Sequence, residues 1–177
     1  MPELAVAIQM LQAMAVDIAL AEGIDEVLFL RLITQESSWI VDAGADVAFP
    51  ACIGLAQLNE KYGRWFIGMH GVGLVDKAEL ALVPGDEYWT EERVRDALLD
   101  PEVSLTIGAR ELKRLLAHRW FRDWQTTLAA WNYGAGNVRK LMVEYPDKWM
   151  AHLPAETQWM LATVLLKDGV EEYGGRR

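Results

Sequence analysis

Glu36 occupies the next step of an apolar stripe formed by Leu28, Phe29, Leu32 and Ile33, at the spacing of one helical face. A carboxyl group in that position is either partly desolvated or pushed out where the helix frays into solvent. Desolvation penalises the ionised form and raises the pKa, which suits a general acid. Ser37, Ser38 and Trp39 follow at once, so two hydroxyls and an indole lie within a turn of the carboxyl. The histidines at 70, 118 and 152 are scattered, with no H-E-x-x-H pairing, and there is no acid-rich calcium loop. No metal and no cofactor are therefore expected. Cys52 is the only cysteine, which excludes an intrachain disulfide and a cysteine-based zinc site. With nothing nearby to activate it, Cys52 reads as a small buried residue.

The elements that must position Glu36 read as helices. Leu4, Ile8, Leu11, Ala15 and Ile18 recur at steps of three and four up to Gly23, and a second helix starts at Asp25, a suitable N-cap, and reaches Glu36. Glycines and prolines break the pattern over 37–59, and glycines at 63, 68, 71 and 73 break it over 61–84. Both stretches are expected to be loops and short irregular elements, with room for a short hairpin within 40–85. Helical spacing returns at Thr90 to Asp96 and again after Asp100-Pro101, an N-cap followed by proline at the first helical position, with Leu105, Gly108, Leu112 and Leu115 as its stripe. Three more helices carry Trp124, Leu128 and Trp131, stopped by Gly134 and Gly136; Val138, Leu141, Met142 and Tyr145, before Pro146; and Ala155, Trp159, Ala162, Thr163 and Leu166. The fold class is mostly α, a single domain over 1–177 with about seven helices and no internal repeat.

Composition narrows the function. A chain of 177 residues with 52% hydrophobic content can bury one core. Its 17 basic against 26 acidic residues give a net charge of -9, the wrong sign for holding a phosphate backbone, so nucleic acid is not an expected partner. The amino terminus has Glu3 and no basic residue before its apolar stretch, and no run of 18 uninterrupted apolar residues occurs. Neither a Sec-type signal nor a membrane span is expected, and the chain is expected to act as a monomer.

Four short stretches fall in one order along the chain: Gln35-Glu36-Ser37-Ser38-Trp39, Gly54-Leu55-Ala56-Gln57-Leu58, Ala130-Trp131-Asn132-Tyr133-Gly134-Ala135-Gly136-Asn137-Val138, and Leu153-Pro154-Ala155-Glu156-Thr157-Gln158-Trp159. This ordered set resembles the soluble lytic transglycosylase catalytic domain, of the lysozyme-like group that includes goose-type lysozyme. That family carries Glu-Ser, Gly-Leu-Met-Gln, Ala-Tyr-Asn-Ala-Gly-x-Gly-x-Val and Pro-x-x-Glu-Thr-x-x-Tyr. The stretch from Asp100-Pro101-Glu102 through Gly108-Ala109-Arg110 also looks like the family's helix before the Asn-Ala-Gly motif, so the resemblance covers roughly residues 13–166.

The resemblance implies a lysozyme-like fold and cleavage of the β-1,4 bond between N-acetylmuramic acid and N-acetylglucosamine in peptidoglycan, with Glu36 as catalytic acid and base and a 1,6-anhydro product. It implies substrate-binding roles for Ser37, Gln57, Trp131, Asn132, Tyr133 and Glu156. Ordinary alternatives stand beside three motif residues: Ser37 as a helix-end cap, Gly54 as a turn glycine, Glu156 as an acid favourable to a helix N-terminus. Trp131 and Trp159 stand where the family has tyrosine, Tyr133 where it has alanine, and Ala56 where it has methionine, so the cleft floor is altered. The connection from about Asn59 to Leu99 is longer than the family's and reads as an insertion: a lid, a glycan platform or a partner surface. Of the tryptophans, 120, 124, 131 and 159 lie at helical spacing and read as packing, while Trp39, Trp65 and Trp89 lie in irregular segments and read as sugar-stacking candidates.

Two other functions fit the same residues. A goose-type hydrolase would need aspartates to place a water; Asn59 stands where one is expected, although Asp42 and Asp46 lie in the preceding loop. A catalytically silent glycan-binding module would tolerate the altered floor. A wall substrate outside the cytoplasmic membrane, without an export signal, fits delivery by a secretion machine or a catalytic module cut from a larger exported protein. The expectation taken here is a phage-encoded enzyme made in the host cytoplasm and carried in a virion or released to the wall.

Overall fold

The computed structural model describes residues 2–48, 50–70 and 90–166. Among them are eight α-helices, two short 3₁₀ helices and one two-stranded sheet, in keeping with the mostly α class. The chain divides into two compact units, 1–111 and 112–177.

The first unit opens with α1 (Pro2–Glu22) and α2 (Glu26–Ser37), packed on each other. The break between them is local. Gly23 takes φ 72°, the Ile24 N–H reaches back to the Ala19 carbonyl at 3.0 Å, and the Asp25 carboxylate caps α2 by accepting from the Leu28 N–H at 2.9 Å. Ala15 and Ala19 are buried on α1, and Phe29, Leu32 and Ile33 on α2. The first half of α1 is different: Leu4, Val6 and Met10 are exposed. By length and composition alone Glu3–Glu22 could cross a membrane, with a mean hydropathy of 1.8, although Gln9, Gln12 and Asp17 interrupt its apolar run.

The expected hairpin is β1 (Cys52–Ile53) paired antiparallel with β2 (Leu58–Asn59) in the register Cys52 to Asn59 and Ile53 to Leu58. Its four-residue loop is the Gly54–Gln57 stretch. Cys52 faces outward while Ile53 faces the core, so the expectation of a buried thiol is corrected: the two-residue period of a strand puts it on the solvent side. A 3₁₀ turn (Glu60–Tyr62) leads into α3 (Gly63–His70), a helix in a stretch expected to be irregular. Gly63 is there for packing rather than for a turn; a Cβ on it would come within 2.3 Å of the Val94 side chain. Residues 71–89, including Trp89 and the middle of the expected insertion, lie outside the described residues, as does the His70 side chain.

Next come α4 (Glu91–Leu99), capped by Thr90, and α5 (Pro101–Leu116), capped by Asp100, both as expected. An Arg110–Glu22 ion pair of 2.7 Å ties the end of α1 to α5. In the second unit α6 (Trp124–Tyr133) starts from an Asp123 cap, and α7 (Ala135–Glu144) follows after the single residue Gly134 at φ 92°. Gly136 therefore lies inside a helix rather than ending one. A 3₁₀ turn (Trp149–His152) precedes α8 (Ala155–Leu166), whose buried face is Thr157, Met160, Leu161 and Val164. Trp159 falls on the opposite face and is 60% exposed, which corrects its reading as a packing residue.

Candidate active site

The predicted residues fall into a cluster in each unit. In the first, Glu36 is half-buried in the last turn of α2. Ser37 is buried; its hydroxyl donates to the Ile33 carbonyl and accepts from the Trp39 N–H, both at 3.2 Å, so the helix-end role is the one its bonds display. The chain then leaves α2 through two successive left-handed residues, Ser38 at φ 52° and Trp39 at φ 67°. Such a conformation costs an L-residue with a Cβ roughly 1–2 kcal/mol. The Trp39 indole, buried, donates from Nε1 to Thr34 Oγ1 at 2.9 Å and braces the turn behind Glu36. Its reading as a sugar-stacking residue is corrected: this ring is held in the core. Trp65 is exposed and meets Phe66 edge-on.

Gln57 is the other non-glycine residue at positive φ among the described residues, at 47°. Its side-chain nitrogen donates to the carbonyls of Ala43 at 3.2 Å and Gly54 at 2.9 Å, while the Gly54 N–H also donates to Ala43 at 3.0 Å. Both amide protons are thereby used, which fixes the orientation of the side-chain amide. The turn is seated from beneath by Ser104, whose buried hydroxyl accepts the Ala56 N–H at 3.1 Å. Leu55 and Ala56 are fully buried. The structure thus ties Gln57 to the loop that leaves the Glu36 helix. Among the described residues the non-glycine positive φ values, at Ser38, Trp39 and Gln57, fall in two of the four motifs, where local strain is held by these bonds.

In the second unit, Trp131, Asn132 and Tyr133 are half-buried on the last turn of α6, and Glu156 is exposed on the first turn of α8. Thr157, beside Glu156, is buried and donates from Oγ1 to Asn132 Oδ1 at 2.5 Å, which joins the two helix ends. Asn137 Nδ2 donates to the Tyr133 carbonyl at 2.8 Å across the Gly134 link. Thr157 stands in the fourth motif without a role, and Ser104 stands in none, since a buried hydroxyl bonded to a distant partner has no periodic signature. Among the described residues no three of His, Cys, Asp and Glu gather as metal ligands.

Residues 14–151 match the family model for the transglycosylase SLT domain, more than half of the chain. The chain belongs to the transglycosylase SLT domain family. The family is one of peptidoglycan lytic transglycosylases, and the part of this SLT chain that matches contains Glu36, Ser37, Gln57, Trp131, Asn132 and Tyr133, with Glu156 just beyond it. Among solved structures the chain is similar to an inactive glutamate-to-glutamine mutant of the lytic transglycosylase Slt from Pseudomonas aeruginosa, at 20% identity and a TM-score of 0.61. The likeness covers 86% of this chain and 22% of that one, and at that identity it is a likeness of fold, mostly α and lysozyme-like. No curated protein matches the SLT chain.

Proposed function

We propose that this chain cleaves the β-1,4 bond between N-acetylmuramic acid and N-acetylglucosamine in peptidoglycan and leaves a 1,6-anhydromuramoyl end. The observation that carries the reading is the family match that contains Glu36, together with the position of that carboxyl: half-buried, at a helix end braced by Ser37 and Trp39, on the loop tied to Gln57. The solved Slt protein is inactive when one glutamate becomes glutamine, as expected if a single carboxyl does the work in that fold.

In the reaction, Glu36 gives its proton to the glycosidic oxygen as the bond from that oxygen to C1 breaks and an oxocarbenium-like centre forms. The glucosamine leaves with a free 4-hydroxyl. The Glu36 carboxylate then takes the proton of the muramoyl 6-hydroxyl as O6 bonds to C1, which restores the acid. No water is consumed. The neighbouring N-acetyl group supplies the stabilisation that a second carboxylate gives in hydrolases. Gln57, Asn132, Tyr133, Trp131 and Glu156 bind the glycan, and Ser37 orients the Glu36 helix end. Action at the wall requires export, release from a host or carriage in a virion.

Mass spectrometry of digested sacculi tests the reading. Anhydro muropeptides are expected from the parent protein and not from Glu36→Gln, whose loss of a proton-transfer group costs roughly a hundredfold to ten-thousandfold in rate. Products one water heavier would replace this mechanism by hydrolysis, and equal clearing by Glu36→Gln would remove Glu36 from it.

A further inference from the structure

Arg95 and Glu60 lie outside the motifs through which the site was read, yet they hold the loop that leaves the Glu36 helix. Glu60 is 2% exposed; its Oε2 accepts the Ala51 N–H at 2.8 Å. Arg95 donates from Nε to Glu60 Oε1 at 2.6 Å and from Nη2 to Oε2 at 3.0 Å. The same guanidinium donates from Nη1 to the Ala45 carbonyl at 2.8 Å and from Nη2 to the Val47 carbonyl at 3.0 Å. A planar fork of five donors makes these bonds in one geometry, so α4, the residue after β2 and the 45–47 segment are fixed in one register. Two residues earlier, the Ala43 carbonyl takes the Gly54 N–H and the Gln57 side chain. The carbonyls of residues 43, 45 and 47 are thus all engaged by the hairpin or α4, while Asp42 and Asp46 are exposed.

We propose that Arg95, seated on Glu60, is a positioning residue for the lytic reaction: by anchoring Ala45 and Val47 it fixes the Ala43 carbonyl that orients the Gln57 amide toward the glycan. The inference rests on the function proposed above. It gives the fork a task beyond stability, because an ion pair alone needs neither backbone carbonyl. Loss of the fork lets the loop drift from the hairpin, and a misplaced amide is paid in turnover even where the fold survives.

The test measures initial release of soluble muropeptides from purified sacculi, well below the melting temperature, for the parent, Arg95→Met, Arg95→Lys, Gln57→Ala and the Arg95→Met/Gln57→Ala pair. Arg95→Met is expected to lower kcat/KM about tenfold, and Arg95→Lys by several-fold, because an ammonium keeps the charge beside Glu60 but not the fork. In the Gln57→Ala background the Arg95 effect is expected to fall to less than about twofold, the mark of one shared pathway. A stabilising residue alone would shift the melting temperature and give the same fold-loss in both backgrounds; that result, or parental kcat/KM in folded Arg95→Met, overturns the inference. Where Arg95→Met does not fold, Arg95→Lys carries the same comparison. Glu36→Gln run alongside separates the two readings: its inactivity with an unaffected Arg95→Met defeats only the positioning role, whereas parental activity in Glu36→Gln defeats the mechanism built on Glu36.

Discussion

Thr157 Oγ1 and Asn132 Oδ1 lie 2.5 Å apart and pin the last turn of α6 to the first turn of α8. The bond fixes the plane of an amide expected to face the glycan, and it does so from a buried hydroxyl. Thr157→Val keeps the shape and removes the donor. It is expected to cost about 1–2 kcal/mol in urea unfolding and to raise KM for sacculi, with Thr157→Ser restoring both. An unchanged KM in Thr157→Val would detach Asn132 from substrate binding.

Gly54→Ala addresses the glutamine turn. Gly54 sits at φ 73°, and a Cβ there would lie 2.1 Å from the Leu98 carbonyl and 3.0 Å from Ser104 Oγ. Conformational strain and overlap with backbone act together, and the expected destabilisation is roughly 2–4 kcal/mol. Gly136→Ala is the control, since a Cβ on that helical glycine meets nothing within 4 Å; replacing the glycine with alanine there should stabilise by up to about 1 kcal/mol. Denaturant midpoints of the two variants should therefore move in opposite directions.

Tyr145 titrates late. Its hydroxyl donates to Glu144 at 2.9 Å, and this bond, with the nearby negative charge, raises its pKa above the ordinary tyrosine value of 10.0. A group whose folded pKa lies above its unfolded one lends stability that is complete below the unfolded value and is lost as pH rises through the folded value. The contribution is therefore complete at neutral pH and is lost only in the alkaline window, as the hydroxyl ionises. Ultraviolet difference titration of the parent against Tyr145→Phe is expected to show tyrosinate forming later than in Glu144→Gln.

What the sequence disclosed follows from how far each signal reaches. Asp25 capping α2, Gly23 ending α1 and Asp100-Pro101 opening α5 are settled within a few residues, and all are as expected. The helix at Gly63–His70 was hidden because its glycine answers to Val94, thirty-one positions on. Trp159 had the right period for packing but the wrong phase, since Thr157, Met160, Leu161 and Val164 already form the buried face. In the site, the motifs named Glu36 and Gln57 but not what holds them, because Ser104 and Arg95 act through backbone groups of distant segments.

Trp39 separates bracing from sugar binding. The indole is 6% exposed and donates to Thr34, so its face is closed to a glycan and its task is to hold the left-handed exit from α2. Trp39→Leu removes the ring and the donor together. The expected loss of stability is about 3–5 kcal/mol, as for a large buried aromatic cut down in size. Turnover should fall through displacement of Glu36, while KM for sacculi stays within about twofold of the parent, because no substrate contact is lost. A stacking residue would give the reverse pattern, with KM up sharply and the melting temperature unmoved. Measuring both on one preparation decides between them, and the same pair of readouts on Trp65→Leu, where the ring is 44% exposed, shows what loss of an open aromatic face looks like in this protein.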